Sequence, residues 1–409
     1  MLSLNVDVGA AERRFEPYLD AIVGVLGHVG RAEPARAYCR GLLLPGERKS
    51  IEPMAARLAP ERVQAAHQSL HHVVARADWS DEAVLAAVRD QVLPAILRHG
   101  PIRSWIVDDT GFPKKGRHSV GVARQYCGQI GKQDNCQVAV TLSIANDHAS
   151  LPIAYRLYLP EPWANDPVRR ARAGVPADVA FQTKPQIALA QIRAALAAGV
   201  TPGVVLMDAG YGVDTDLRDE VSAQGLLYVA GIPSSTGLWP PGTGPLAPKP
   251  WSGRGRPPSL VRRDPDHQPL SAKALAMGLR EEAWHRVTWR EGTNAPLASR
   301  FAALRVRPAH RDYERPQPRP EEWVLIEWPE GEKEPTKYWL STLPQETGLE
   351  DLVATAKARW RIERDDQELK QEIGLGHYEG RGWRGFHHHA TLCIAAYGFL
   401  VAERCLFPP

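Results

Sequence analysis

The sequence predicts an α/β protein: a mixed sheet flanked by helices, with an N-terminal helical domain and a β-rich insertion. Three observations predict it. Residues 10–98 carry apolar side chains at helical spacing. From 100 to 233 the pattern reads βββαβαβ, an order that builds a sheet with helices on its faces. Between 234 and 343 a Pro- and Gly-rich stretch gives way to further strands, and helical spacing returns at 344–409. The predicted organisation is therefore 1–99, 100–233, 234–343 and 344–409.

Within the first region, 11–27, 32–43, 51–58, 61–75 and 81–99 each read as a helix, with Ser80 and Asp81 marking the start of the last. Leu85, Val88, Val92, Leu93 and Ile96 make a core-facing stripe on that last helix. The module either packs on its neighbour or meets DNA, in which case Arg40, Arg48, Lys49 and Arg57 are the candidate phosphate contacts. Next comes 102–115 (IRSWIVDDTGFPKK), an apolar run bounded by Gly and Pro that reads as a buried strand delivering two adjacent carboxylates, Asp108 and Asp109. Acid at such a place is costly unless a metal or a basic partner meets it. Strands follow at 136–145 and 151–158, joined by a polar turn at Asn146-Asp147-His148. A helix over 184–198 has Thr183 near its start and Gly199 at its end. A short strand, 204–207, ends in Asp208; a helix near 214–224 and a strand at 226–231 complete the region. Ligands collect at strand ends in open sheets.

The insertion opens with basic chain. Lys249, Arg254, Arg256, Arg262 and Arg263 occur with no acid from 244 to 263. Arg254-Gly255-Arg256-Pro257 is the core of a minor-groove hook, in which extended backbone lets arginines reach into A·T-rich DNA; a solvated basic loop is the alternative. Strands read at 283–290, 302–308, 323–328 and 338–343. Thr347-Gly348-Leu349-Glu350 reads as a capping box opening a long helix that Gly374 ends. Arg359, Glu363 and Lys370 project from one face of it, and 390–406 is a last helix apolar enough to pack on the sheet.

The totals fit a soluble globular chain, with 44% hydrophobic and 24% charged residues over 409 positions, enough for two or three domains. A net charge of +3 is too small to indicate a nucleic-acid partner, so local clustering must carry that argument. Five cysteines without regular spacing suit a reducing cytoplasm. No apolar stretch approaches the ~18 residues of a membrane span, and 1–20 lacks the apolar core of a secretion signal, so a cytoplasmic protein is expected.

Asp109 and Asp208 at strand ends and Glu363 on a late helix suit two-metal phosphoryl transfer, in which carboxylates and substrate phosphate hold two divalent cations. Each acid alone also suits a cap or an ion pair. The run Arg359-x3-Glu363-x6-Lys370, behind Trp360 and Ile362, resembles the Y-x2-R-x3-E-x6-K signature of IS4-like DDE transposases. Asp109-Thr110 and Met207-Asp208-Ala209-Gly210-Tyr211 look like that group's two aspartate motifs. Asp108 through Gly116, Ser119-Val120-Gly121-Val122, Gln125-Tyr126-Cys127-Gly128 and Asn135-Cys136-Gln137 look like the IS701 family within it. The signature's tyrosine would fall at Ala356, so any phosphate contact from that phenol is missing or supplied elsewhere.

The resemblance implies an RNase H-like core and a transposase that cuts an insertion sequence's terminal inverted repeats and joins the 3′-OH ends to target DNA. It implies two Mg²⁺ ions, replaceable by Mn²⁺, on Asp109, Asp208 and Glu363, with Arg359 and Lys370 holding DNA near the cleaved end. Asp108 is the reserve for the first ligand, because one step along a strand changes the face. Lys114, Lys115, Arg117, Arg124 and Lys132 are expected to track the DNA backbone, with Arg254 and Arg256 as further contacts. A homodimer in the synaptic complex follows from pairing two ends. The rival readings are a domesticated, non-catalytic DNA-binding descendant and a haloacid-dehalogenase-like phosphatase; the latter wants a second Asp where Gly111 stands. His387-His388-His389 does not suit zinc, since consecutive helical side chains diverge by about 100°. Trp339 and Trp383 either pack in the core or stack on an extruded base.

Overall fold

The structure is a computed structural model and describes residues 8–290 and 296–407. Residues 1–7, part of the stretch read for a secretion signal, lie outside the described residues. In chain order the helices α1 (Val8–Gly24), α2 (Ala32–Leu43), α3 (Ile51–Leu58), α4 (Val63–Ala75) and α5 (Asp81–Leu97) precede strands β1 (Ser104–Pro113), β2 (Ala123–Cys127), β3 (Lys132–Ala145) and β4 (Ser150–Leu157). Then come α6 (Glu161–Ala164), α7 (Pro167–Ala173), α8 (Lys184–Ala197), β5 (Val204–Met207), α9 (Ala209–Gly212), α10 (Thr215–Ala223) and β6 (Tyr228–Ile232). They are followed by β7 (Gly237–Trp239), β8 (Leu270–Ser271), α11 (Ala272–Met277), β9 (His285–Arg290), β10 (Leu297–Pro308), β11 (Glu322–Trp328) and β12 (Lys337–Ser341). The chain closes with α12 (Leu349–Lys357), α13 (Trp360–Glu368), a π-helical turn (Leu369–Ile373) and α14 (Trp383–Leu406). The α/β class is as the sequence predicts.

Two compact units result, one from 1–202 with 360–409 and the other from 203–359. In the first, β3 is the spine of an antiparallel sheet: β1 pairs along it from Ser104↔Ala145 to Pro113↔Cys136, while β2 and β4 share its other edge. Helix α8 covers one face, where Gln191 Nε2 donates to the Val140 carbonyl at 3.0 Å. A capping box starts it, with Thr183 and Gln186 satisfying each other's backbone N–H groups. On the other face, α14 is buried on every side from Gly385 to Phe399, packed among α2, α4, α5 and β4. At Gly398 a Cβ would stand 2.9 Å from Val88 of α5, so glycine permits that approach. The N-terminal helices thus wrap the C-terminal one.

The adjacent histidines are what fasten α14. His387 Nε2 accepts from the Leu157 N–H at 3.2 Å, His388 lies between the Val74 and Trp79 carbonyls, and His389 meets the Tyr38 hydroxyl at 2.8 Å. Three separate sets of partners replace the single ion that a zinc site would need.

In the second unit, β5 and β6 are parallel, and β6, β12, β11 and β10 continue antiparallel. The long β10 also takes β9 and β7, and β8 pairs with β7. Lys357 of α12 reaches both oxygens of buried Glu327 at 2.7 Å, and its ammonium sits 4.2 Å from the Trp289 ring centre.

Several local expectations change. Strand β2 carries exposed Arg124 and Tyr126 on a sheet edge, so no apolar run announced it. The capping box at 347–350 does not form: Gly348 is the N-cap and offers no side chain. The long helix predicted up to Gly374 is broken, because α12 ends at Lys357 and α13 begins at Trp360. Arg359 falls in that break, outside both helices, and it belongs to the second unit.

Candidate active site

Strand β1 presents its two acids to opposite sides. Its pairing with β3 is unbroken, so side chains alternate: Asp108, Thr110 and Phe112 face one way, Asp109 and Gly111 the other. Asp109 meets the side covered by α8, where Lys184, the first residue of that helix, donates from Nζ to Oδ2 at 2.6 Å. A Cβ on Gly111 would stand 2.7 Å from Cys127 Sγ, which accounts for the glycine after Asp-Asp-Thr. Asp108 Oδ1 accepts from the Asp109 backbone N–H at 2.8 Å.

Helix α13 and its π turn meet the side of Thr110 and Phe112. Glu363 is exposed, whereas Ile362 and Asp365 are buried and hold the helix down. Asp365 Oδ1 accepts from Ser150 of β4 and Tyr397 of α14, each at 2.7 Å. One turn after Glu363, Asp366 enters the polar gap between helix and strand. Burial pushes its carboxyl up to about 6; the Lys370 charge and the Thr110 hydroxyl oppose that rise, and Asp109 adds to it. Thr110 is 2% exposed, and its hydroxyl makes no bond of full hydrogen-bond geometry, so its link to Asp366 is a close polar approach. The Lys370 ammonium lies 5.4 Å from the Phe112 ring centre.

Thr110, Asp366 and Lys370 are therefore brought together on the α13 side of β1, Asp109 acts on Asp366 only through its charge from the other side, and Glu363 rides on the helix that contributes Asp366. Asp366 was missed in the sequence. The available signal was its spacing of three from Glu363, which puts both on one helical face. Lys370 sits in the π turn, a local widening of the kind often found at functional sites.

Asp208 follows β5 in the second unit and caps the one-turn helix α9, its Oδ1 accepting from the Tyr211 N–H at 3.2 Å. The glycines around it have a packing reason. A Cβ on Gly212 would collide with the Gly231 carbonyl of β6, and one on Gly231 would stand 2.8 Å from the Ala209 nitrogen. The turn after Asp208 thus lies directly on the next strand.

The basic residues divide by use. Lys115, Arg117, Arg124 and Lys132 are exposed. Lys114 is half-buried, donates to the Tyr378 carbonyl at 3.0 Å, and is lowered in pKa by burial, so it is a structural tie. Lys49 is buried with its ammonium on the Leu42 and Glu372 carbonyls, which removes it from the phosphate candidates. Arg40 pairs with Glu16, Arg48 with Glu379, and Arg57 reaches the Arg48 carbonyl. Trp339 and Trp383 are both buried, Trp383 against His387 at 4.3 Å between ring centres, and both are core side chains.

Among the described residues no group of three or more His, Cys, Asp or Glu side chains is close enough to hold a metal ion, and no helix is long and apolar enough to cross a membrane. The donor set still suits a hard divalent cation, being carboxylate oxygen throughout. At Asp109 the Lys184 ammonium supplies a positive charge beside a part-buried carboxylate.

A family model described as DDE superfamily endonuclease matches residues 23–296, which include Asp109 and Asp208 and stop before Glu363. A curated protein of Microchaete diplosiphon, "Probable transposase for insertion sequence element IS701", is 34% identical over 145 residues. That match covers 36% of this chain and 35% of the relative, so only about a third of each is compared. The chain belongs to the DDE superfamily endonucleases.

Proposed function

We propose that this DDE superfamily endonuclease is the transposase of an insertion sequence, which cuts DNA at terminal inverted repeats and joins the freed 3′-OH ends to target DNA. The observation that carries the proposal is the junction of β1 with α13. Thr110 and Phe112, beside the paired aspartates, meet Asp366 and Lys370 of the helix that carries Glu363. Asp109, Asp208 and Glu363 would hold two divalent ions, Mg²⁺ by its preference for carboxylate and phosphate oxygen. When bound, such ions activate the attacking oxygen and stabilise the leaving one.

The chain's own groups do the rest. Lys184 balances the charge of Asp109, a role that a bound cation would share. Lys370 and Arg359 bind the phosphates next to the cut, and exposed Lys115, Arg117, Arg124 and Lys132 follow the backbone away from it. A homodimer pairs the two ends of the element. For the first ligand, the motif selects Asp109, while strand alternation gives Asp108 the side that faces α13. Asp108→Asn and Asp109→Asn separate the two, since only loss of the ligand abolishes cutting.

The test is nicking of an inverted-repeat duplex in Mg²⁺ by the wild type and by Glu363→Gln, with duplex binding measured alongside. Cutting by the wild type alone, with binding retained in both, is expected. Equal cutting by both would refute the assignment of Glu363. A wild type that binds and never cuts would leave a DNA-binding protein in place of a transposase.

A further inference from the structure

Of the five basic residues between 249 and 263, the fold uses two internally. Arg262 pairs with Asp264, and Arg263 with the buried carboxylate of Asp312 while lying over the Tyr313 ring. Lys249, Arg254 and Arg256 belong to a loop that returns to its own base. Leu246 and Arg262 exchange both backbone hydrogen bonds, at 2.8 and 2.9 Å, and Val261 anchors the far end by burial. Every residue from 249 to 260 is exposed, and none of them is acidic.

The tip has a defined form. The Trp251 indole, 55% exposed, donates to the Gly255 carbonyl at 3.2 Å. Gly253 and Gly255 take φ values of 82° and 70°, which L side chains rarely adopt. Glycine between the two arginines also leaves no side chain to hold the backbone off a surface, and Pro257-Pro258 stiffens the chain immediately after.

We propose that this loop is a DNA minor-groove reader, inserting Arg254 and Arg256 into A·T-rich duplex. The narrow groove of such sequence concentrates negative potential and attracts inserted arginine, whereas the guanine amino group obstructs the floor of a G·C groove. The free tip is curled, with Trp251 bonded to Gly255, so engagement opens that bond and extends the Arg-Gly-Arg backbone. The groove's oxygens then take up arginines that have no ion-pair partner among the described residues.

The inference deepens the DNA-cutting reading, and the experiment separates the two. The full-length Glu363→Gln chain is titrated by fluorescence anisotropy against A·T, G·C and I·C duplexes of equal length. I·C presents the minor groove of A·T with the major groove of G·C. Expected is a preference of roughly tenfold or more for A·T and I·C over G·C, abolished by netropsin. Arg254→Ala with Arg256→Ala should erase the preference and lower the slope of log K against log salt by about 2. Equal affinity for the three duplexes, I·C behaving as G·C, an unchanged preference in the double variant, or tighter binding of single-stranded RNA would each overturn it. A preference for A·T in a chain whose wild type never nicks would sink the transposase reading and leave this loop's role standing.

Discussion

Acid should loosen the joint at the end of the helix that carries Glu363, and His389 allows the size of the effect to be worked out. Its ring is 2% exposed. Nδ1 accepts from the Tyr38 hydroxyl at 2.8 Å and Nε2 donates to the Gly374 carbonyl at 3.1 Å, so the neutral form uses both nitrogens. Burial pushes its pKa down from 6.5 to about 4. With the folded value depressed, the neutral ring's contribution is complete above pH 6.5 and is lost as pH falls towards 4. At about 1.4 kcal/mol per pH unit the loss is about 2 kcal/mol at pH 5 and about 3 kcal/mol at pH 4. That is a large share of the roughly 5–15 kcal/mol of a typical fold. His389→Gln keeps a donor and an acceptor and removes the titration. Urea unfolding of both proteins at pH 8 and pH 5, followed by tryptophan fluorescence, should show their stability difference narrowing by about 2 kcal/mol at the lower pH. A difference that is the same at both pH values would refute the reasoning.

Three further outcomes are expected. Lys357→Met leaves the Glu327 carboxylate buried without its bidentate partner and should lower stability by about 3–5 kcal/mol, read as a lower urea midpoint. Gly212→Ala drives a methyl group into the Gly231 carbonyl and should cost at least about 2 kcal/mol, seen in soluble yield and melting temperature. Asp366→Asn removes the charge between Lys370 and Thr110; nicking should fall on the order of 100-fold with duplex affinity changed less than about threefold. Parallel loss of both would mark a folding defect instead.

The strands that bear the aspartates were legible because both faces of their sheets are covered. Trp105, Ile106 and Val107 are fully buried, as are Val205 to Met207, so each reads as an unbroken apolar run ending in acid. The break at 358–359 was not legible, since neither Ala358 nor Arg359 is a helix breaker and nothing local stops the pattern. Lys49 looked like surface charge because its partners, Leu42 and Glu372, flank it at very different chain distances. Asp366 stayed hidden for the same reason: its meaning comes from Thr110, on a strand far earlier in the sequence. The basic run near 254 was legible as charge, but only tertiary contacts divided Arg262 and Arg263 from Arg254 and Arg256.

The first unit joins helices that lie far apart in the chain, and this sets an order of events during synthesis. Helices α1, α2, α4 and α5 leave the ribosome before α14, against which they pack and which is translated almost 300 residues after Leu97. At roughly 5–20 residues per second they wait on the order of tens of seconds for it. Chaperones that shield apolar helices have that interval in which to act. Glu363 emerges in the same late stretch. The helix that carries Glu363 is likewise not fully seated until then, because its buried Asp365 takes a hydrogen bond from Tyr397 of α14.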